Sequence, residues 1–373
     1  MNHILYQPKV RPEIYPLTGI RALAALWVLV FHLHGKLAAA FPKGYALFEP
    51  AIVNGYLGVD LFFILSGFII AYNYAGRLSV FTVAKYREFL WLRLARLWPV
   101  HLAILTCYAA LLLLAAHFGT PLKHTTSYSL GKLWQNVALI QAWWIPIHES
   151  WNVPAWSISC EWAAYLLFPV LVSSGAVTRS ARRALLTGAA ALLLMALLLQ
   201  IVHADGNNKY GMFRIAGEFV AGASLCRLFH ARVGQNWNWN LILPVVVVTA
   251  VLLLGFLLPV FSLVAYWSVP CLAIVVLGLA YGQSVWSRLL STRLFLFGGY
   301  VSYSLYMVHT LCFIVLEKSF PRIEARPWSF VMDLTVAILA ASATYHLVEE
   351  PARKKMRALL PGTSGKSSDS AST

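Results

Sequence analysis

Ten apolar runs, each about as long as a helix needs to cross a bilayer, recur along this chain of 373 residues and constrain it more than any other feature. They fall near residues 17–36, 56–75, 97–117, 155–173, 184–203, 213–229, 241–259, 263–283, 296–316 and 329–348. Each is too long for a barrel strand, and none alternates apolar and polar residues with period two, so helices are predicted. The connections between them are too short for a soluble domain. Charged residues make up only 12% of the chain and apolar ones 60%, which is about half the charge of an ordinary soluble domain. One globule cannot hide that much apolar surface, so lipid must be part of the solvent. The fold class expected is an all-α polytopic transmembrane bundle of about ten spans.

The formal net charge is +15, and a nucleic-acid partner is the first reading to test. Nucleic-acid binders gather basic residues on one polar surface. Here they sit in the short breaks between apolar runs, as a bilayer requires, and nucleic acid is set aside. With the N-terminus inside, 20 of the 29 Lys and Arg residues fall in cytoplasmic segments. The outer segments hold the other nine, Lys36, Lys209 and Arg214 among them. That bias predicts both termini in the cytoplasm and an even number of spans. The first run is followed by Ala38-Ala39-Ala40, which imitates a signal-peptide cleavage site. It is long for a signal core and nine further runs follow, so it is read as a retained span. The five cysteines lie in or beside apolar runs without ligand spacing and are read as packing residues. The Ser-, Gly- and Thr-rich segment from Pro361 to Thr373 is expected to be disordered.

Ionisable groups inside a span are costly and are candidates for function. Arg21 and His32 share the first run; eleven residues bring a helix back to within about 20° of its starting face and about 16 Å along its axis. One stripe therefore carries a guanidinium at the cytoplasmic end and an imidazole in the outer half. The second run opens at the outer side with Gly58-Val59-Asp60, which places Asp60 at the level of His32 as an orienting carboxylate, while Ser66 and Gly67 sit deeper. Arg93 and Arg96, one helical turn apart, present paired forks suited to phosphates. Glu161 in the fourth run and His309 in the ninth fall in the same outer layer as His32 and Asp60. Glu218 has no assignable partner. A packing role is the alternative for His32 and Ser66, and plain membrane anchoring for the arginines. The longest outer connection, about 118–154, carries Trp134, Trp143, Trp144 and Trp151, with Trp156 just beyond it. These indoles are read as interfacial anchors, with an acceptor-binding flap as the other reading.

These residues carry a resemblance. Arg21-x10-His32, the run Gly-Val-Asp-Leu-Phe-Phe-x-x-Ser-Gly-Phe at 58–68, and Arg93-x-x-Arg96-x-x-Pro99 look like the membrane-bound acyltransferase type 3 family. So do Trp156-Ser157 with Glu161, Tyr303-Ser304-Leu305-Tyr306-x-x-His309, and Glu349-Glu350-Pro351. The six motifs follow the family's order from about Leu17 to Arg357. The resemblance implies an integral-membrane O-acyltransferase of ten spans in the bacterial cytoplasmic (inner) membrane. It implies acyl-CoA, acetyl-CoA first, as co-substrate, with no metal and a surface carbohydrate, lipid or antibiotic as acceptor. Residues 1–357 are then the transmembrane acyltransferase domain and 358–373 a cytoplasmic tail, without room for the extracytoplasmic hydrolase-like domain that some members add.

Together these readings give an expected site. Arg21, Arg93, Arg96 and Ser66 hold the donor, and His32, Asp60, Glu161 and His309 carry the chemistry. His32 acts as general base, or as a transient acyl carrier, with Asp60 or Glu161 setting its tautomer. The main rival is a transporter or flippase of a lipid-linked sugar, which would favour internal repeats and broken spans in matched halves; neither is found. A membrane sensor without chemistry is the weaker rival. Polysaccharide sugars are the first acceptor class expected, and a lipid or small secondary metabolite the second.

Overall fold

The fold was described from a computed structural model, which covers residues 11–119, 125–145, 147, 150–202, 208–256 and 263–360. The expected disordered tail from Pro361 lies outside them. Among the described residues the secondary structure is helical, without strands. In chain order the helices are α1 (Tyr15–His32), α2 (His34–Ala40), α3 (Pro42–Val53), α4 (Leu57–Leu78), α5 (Val83–His117) and α6 (Leu130–Val137). They continue as α7 (Trp156–Ser173), α8 (Ala181–Ile201), α9 (Gly211–His230), α10 (Trp239–Phe256) and α11 (Val269–Ala280). The last are α12 (Val285–Leu290), α13 (Arg293–Ser319), α14 (Pro321–Glu324), α15 (Phe330–Thr344) and α16 (Glu350–Ala358).

Local chemistry sets many of these boundaries. Proline occupies the first turn of α1, α3, α11, α14 and α16, where its missing N–H costs nothing. Thr82, Ser129, Ser180 and Ser284 cap α5, α6, α8 and α12 by accepting a backbone N–H three residues on. Residues 345–349, between α15 and α16, form a π-helical turn, a feature often found at functional positions.

Among the described residues, seven helical stretches are long and apolar enough to cross a membrane: 15–32, 42–78, 83–117, 153–173, 181–201, 293–319 and 327–358. Ten are reached only by adding α9, α10 and α11. The first of these carries Arg214, Glu218 and Arg227, and the other two are shorter than a full span. The cytoplasmic break expected around Arg93 and Arg96 is instead continuous helix. α5 runs unbroken for 35 residues with Pro99 inside it, about 52 Å at the helical rise, well beyond a hydrocarbon core of about 30 Å. The two arginines thus stand on a rigid rod.

Helix α4 packs on α9, α8 on α9, α1 on α13, and α13 on α15. Small residues let the backbones meet, the usual device where lipid supplies no drive for association. A Cβ at Gly67 would strike the carbonyl oxygen of Phe219, one at Gly222 that of Ile64, and one at Gly299 that of Thr18. At the other end of the α1–α13 contact His32 meets His309, so these two helices run parallel. α4 runs antiparallel to α1: Gly58 packs at Ala24, and Gly55 at Trp27 and Phe31.

The register of α4 corrects one expectation. Asp60 does not turn toward His32. Gly58 faces α1, and two residues further along, about 200° around the helix, Asp60 faces the opposite side. Seven residues separate it from Gly67, which returns to within about 20° of the same stripe, and Gly67 packs on α9. Asp60 therefore meets Arg214. The Arg214 Nε donates to Oδ1 at 2.9 Å and Nη2 donates to Oδ2 at 2.5 Å. Both side chains are buried. The rings of Tyr56, Trp156 and Tyr266 surround the guanidinium at 5.9, 5.0 and 5.6 Å from their centroids. Arg214, read from sequence as an outer-segment cation, is a core residue. Glu218, one turn along α9 and equally buried, lies within electrostatic reach of both partners, which supplies the neighbours that the sequence left unassigned.

Candidate active site

A cavity opens among α1, α4, α5, α7 and α13. Counting its open mouth, it leaves about 770 Å³ free of atoms. It brings together five residues predicted from sequence: Arg21, Ser66, Arg93, Arg96 and Glu161. α5 contributes to it, beside the four helices that carry the expected polar pocket. Its walls otherwise hold Phe62, Tyr165, Tyr303 and Tyr306.

Each arginine is held by what surrounds it. Arg93 donates from Nη2 to the Tyr74 hydroxyl at 2.9 Å and stacks over the same ring at 4.9 Å. Arg96 lies 3.6 Å from Glu349 Oε1 and 5.8 Å from the centre of the Tyr303 ring. Glu349, at the end of the π-helical turn, is buried and accepts from Ser304 Oγ at 2.7 Å. Arg21 sits over Phe62 at 6.0 Å and feels Arg96, Glu349 and Glu161 electrostatically. Tyr303 is fixed by donating to the carbonyl of Leu97 at 2.5 Å. The Ser66 and Tyr165 hydroxyls share a hydrogen bond of 3.0 Å. Three guanidiniums converge on a site whose only opposing carboxylates among its described residues are Glu161 and Glu349. Such an arrangement suits phosphates.

The histidines form a separate pair next to this cavity. The His32 and His309 rings lie 4.9 Å apart, centroid to centroid, tilted by 42°. His309 is fully buried, and its Nδ1–H donates to the Tyr306 carbonyl at 2.8 Å. Its Nε2 is then a lone-pair acceptor, and no described group hydrogen-bonds to it. His32 is exposed, at the last residue of α1. Tyr306 joins the two regions: its ring lines the cavity and lies 6.0 Å from that of His309, and its hydroxyl donates to the Pro154 carbonyl at 3.0 Å.

Sequence reasoning placed His32, Asp60, Glu161 and His309 in one layer. The structure pairs only His32 with His309. Glu161 sits with the arginines, because on α7 it shares the cavity-facing stripe with Ser157 and Tyr165, four residues to either side. Asp60 is held by Arg214. Neither carboxylate hydrogen-bonds to His32 among the described residues. Three contributors were missed. Glu349 was visible only as part of a motif, with no signal of a partner. Tyr303 stood in the Tyr-Ser-Leu-Tyr run without a role. Asn152, in the tryptophan-rich connection, donates to the Met307 carbonyl at 2.9 Å and accepts from Thr310 Oγ1 at 3.1 Å, tying that connection to α13 beside His309. Within that connection Trp151 is buried, whereas Trp134 and Trp144 are exposed.

Comparison with known proteins bears on this geometry. A family described as an acyltransferase domain matches residues 14–346. The acyltransferase MdmB of Streptomyces mycarofaciens is 32% identical over 162 residues, 41% of this chain and 38% of its own length. A Staphylococcus aureus (strain COL) protein with the provisional name O-acetyltransferase is 21% identical, covering 91% of this chain and 57% of its own. A Bacillus subtilis protein provisionally named a peptidoglycan O-acetyltransferase is 25% identical, covering 90% of this chain and 54% of its own. The chain thus spans about half the length, or less, of the curated relatives it matches. No solved structure matches it. A match from the N-terminal edge of α1 to the π-helical turn, over every helix that lines the cavity, leaves one conclusion: the chain belongs to the membrane-bound acyltransferase type 3 family.

Proposed function

We propose that this protein is a membrane O-acyltransferase that moves an acyl group, acetyl first, from cytoplasmic acyl-CoA to a hydroxyl of a cell-surface carbohydrate or related acceptor. The observation that carries the reading is the three-arginine cavity, lined also by Tyr306, whose ring lies 6.0 Å from His309 of the His32–His309 pair. The phosphates of the donor lie against Arg93 and Arg96, with Arg21 deeper. The pantetheine arm runs inward between Ser66 and the aromatic walls. Both termini are cytoplasmic in this scheme, and the acceptor approaches His32 from the opposite side.

The chemistry then follows from the imidazoles. His309, held by the bond from its Nδ1 to the Tyr306 carbonyl, sets its ring 4.9 Å from that of His32 and orients that imidazole, whose neutral form keeps one nitrogen as a base. This replaces the carboxylate that the sequence suggested. His32 takes the proton of the acceptor hydroxyl as its oxygen attacks the thioester carbonyl. The carbon–sulfur bond breaks, the ester forms, and the proton passes from His32 to the departing thiolate. Relay through an acyl-His32 uses the same groups in two steps. The names of the Staphylococcus and Bacillus relatives support acetyl transfer, and the Bacillus name supports a surface glycan as acceptor.

Purified full-length protein with labelled acetyl-CoA tests the reading. Free CoA should form, in an amount matched by label on a polysaccharide or lipid acceptor. His32→Ala should abolish this while leaving the protein monodisperse. Undiminished CoA release by that variant, or transport of a glycan without thioester consumption, would refute it.

A further inference from the structure

The cavity is short of positive charge for the donor proposed above. Its three guanidiniums face Glu349, 3.6 Å from Arg96, and Glu161. Coenzyme A presents a diphosphate and, at its far end, a 3′-phosphate monoester that carries roughly −1.5 to −2 charge by itself. The missing cations stand on α16. That helix is fastened to the α5 rod by the Trp91 indole, which donates to the Met356 carbonyl at 2.7 Å. Arg353 and Arg357 are one turn apart and share a face. Arg357 is within electrostatic reach of Tyr74, Arg93 and Arg96, and Tyr74 is the residue that holds Arg93. Arg357 itself is exposed and is not among the residues that line the cavity. Lys354, on the same helix, pairs with Glu350 at 2.8 Å.

We propose that Arg357, with Arg353 beside it, binds the 3′-phosphate of the donor and so selects phosphorylated CoA over its dephospho form. This rests on the acyl-CoA reading of the cavity. The order of groups along the molecule dictates the assignment. With the thioester deepest, toward Tyr306, the diphosphate meets Arg93 and Arg96 and the nucleotide end emerges at the rim, where α16 presents its guanidiniums. In sequence these residues counted only toward the positive-inside bias, because nothing in the chain shows that α16 folds back onto α5.

The test compares two donors on the full-length protein in nanodiscs: acetyl-CoA and acetyl-dephospho-CoA, which lacks only the 3′-phosphate. The unaltered protein should favour acetyl-CoA by about tenfold in kcat/KM, the worth of one charge-assisted contact. Arg357→Ala should lower kcat/KM for acetyl-CoA to the dephospho level and leave acetyl-dephospho-CoA unchanged. Arg357→Lys, which keeps charge and bulk, should retain part of the preference, and Lys355→Ala should keep all of it. A loss shared equally by both donors would assign α16 to membrane anchoring and overturn the proposal, as would an unaltered protein that does not discriminate. If neither thioester is consumed, the acyl-CoA reading itself fails; consumption without discrimination overturns the Arg357 assignment alone.

Discussion

Replacing Asp60 by leucine should unfold the protein rather than merely silence it. The carboxylate accepts two hydrogen bonds from Arg214 at 2.9 and 2.5 Å, and the guanidinium has otherwise the Tyr56 carbonyl at 3.4 Å and three aromatic rings. Arg214 is 1% exposed and Asp60 0%, so neither charge can turn to water when its partner is lost. Breaking such a pair from one side costs about 3–5 kcal/mol, whereas removing both charges together is far cheaper. Asp60→Leu with Arg214→Met should therefore be more stable than the sum of the two single changes by at least about 2 kcal/mol. Glu218 lies within electrostatic reach of both partners and is positioned to pair with Arg214 once Asp60 is gone, so the cycle is run on a Glu218→Gln background. The assay is unfolding in mixed detergent micelles, followed by the fraction that stays monodisperse, with turnover measured per folded molecule. Additive single and double variants would refute the ion-pair argument. An Asp60→Leu protein of full stability but no turnover would return Asp60 to the chemistry.

Three further outcomes follow from particular contacts. Gly67→Ala should cost about 1–3 kcal/mol by forcing α4 away from the Phe219 carbonyl of α9; Gly35→Ala, with nothing within 4 Å of the new methyl, should be neutral or slightly stabilising, and equal thermal stabilities would refute the close-approach argument. Arg96→Lys keeps the charge but loses the fork, and should raise the donor KM about tenfold with kcat little changed; an unchanged KM would remove Arg96 from the donor site. Lys36 bridges α2 to α14 and α15 through Glu324 and Asp333. Burial works against its ammonium, but hydrogen bonds to Asp333 and Glu324 outweigh burial and hold its pKa above the ordinary lysine range. Its contribution is therefore complete below the ordinary lysine value of about 10.5 and lost as pH rises through the higher folded value. Lys36→Met should cost about 1–3 kcal/mol at neutral pH, because Asp333 is left buried without its cation. Melting at pH 8 and above pH 11, with and without the substitution, checks the sign: the difference between the two proteins should shrink at the higher pH.

What the chain alone determines is what lipid solvation forces. Apolar runs of spanning length, with most basic residues at or near the breaks, admit little besides a helical bundle, since unpaired backbone cannot sit in hydrocarbon. That Arg21 and His32 stand on one helix was legible too. Partners across helices were not. Asp60 and His32 share a level along the membrane, but level says nothing about azimuth. The α4–α1 and α4–α9 contacts, set by Gly58, Gly67 and Gly222, turned Asp60 toward Arg214 and left His32 to His309. Glu349 was likewise unreadable as the partner of Arg96, since it comes within 3.6 Å of it only after the chain has folded back from α15. Composition decides the solvent and the periodicity decides each helix's own faces; which faces meet depends on how closely the backbones can approach, and that is a property of the packed bundle.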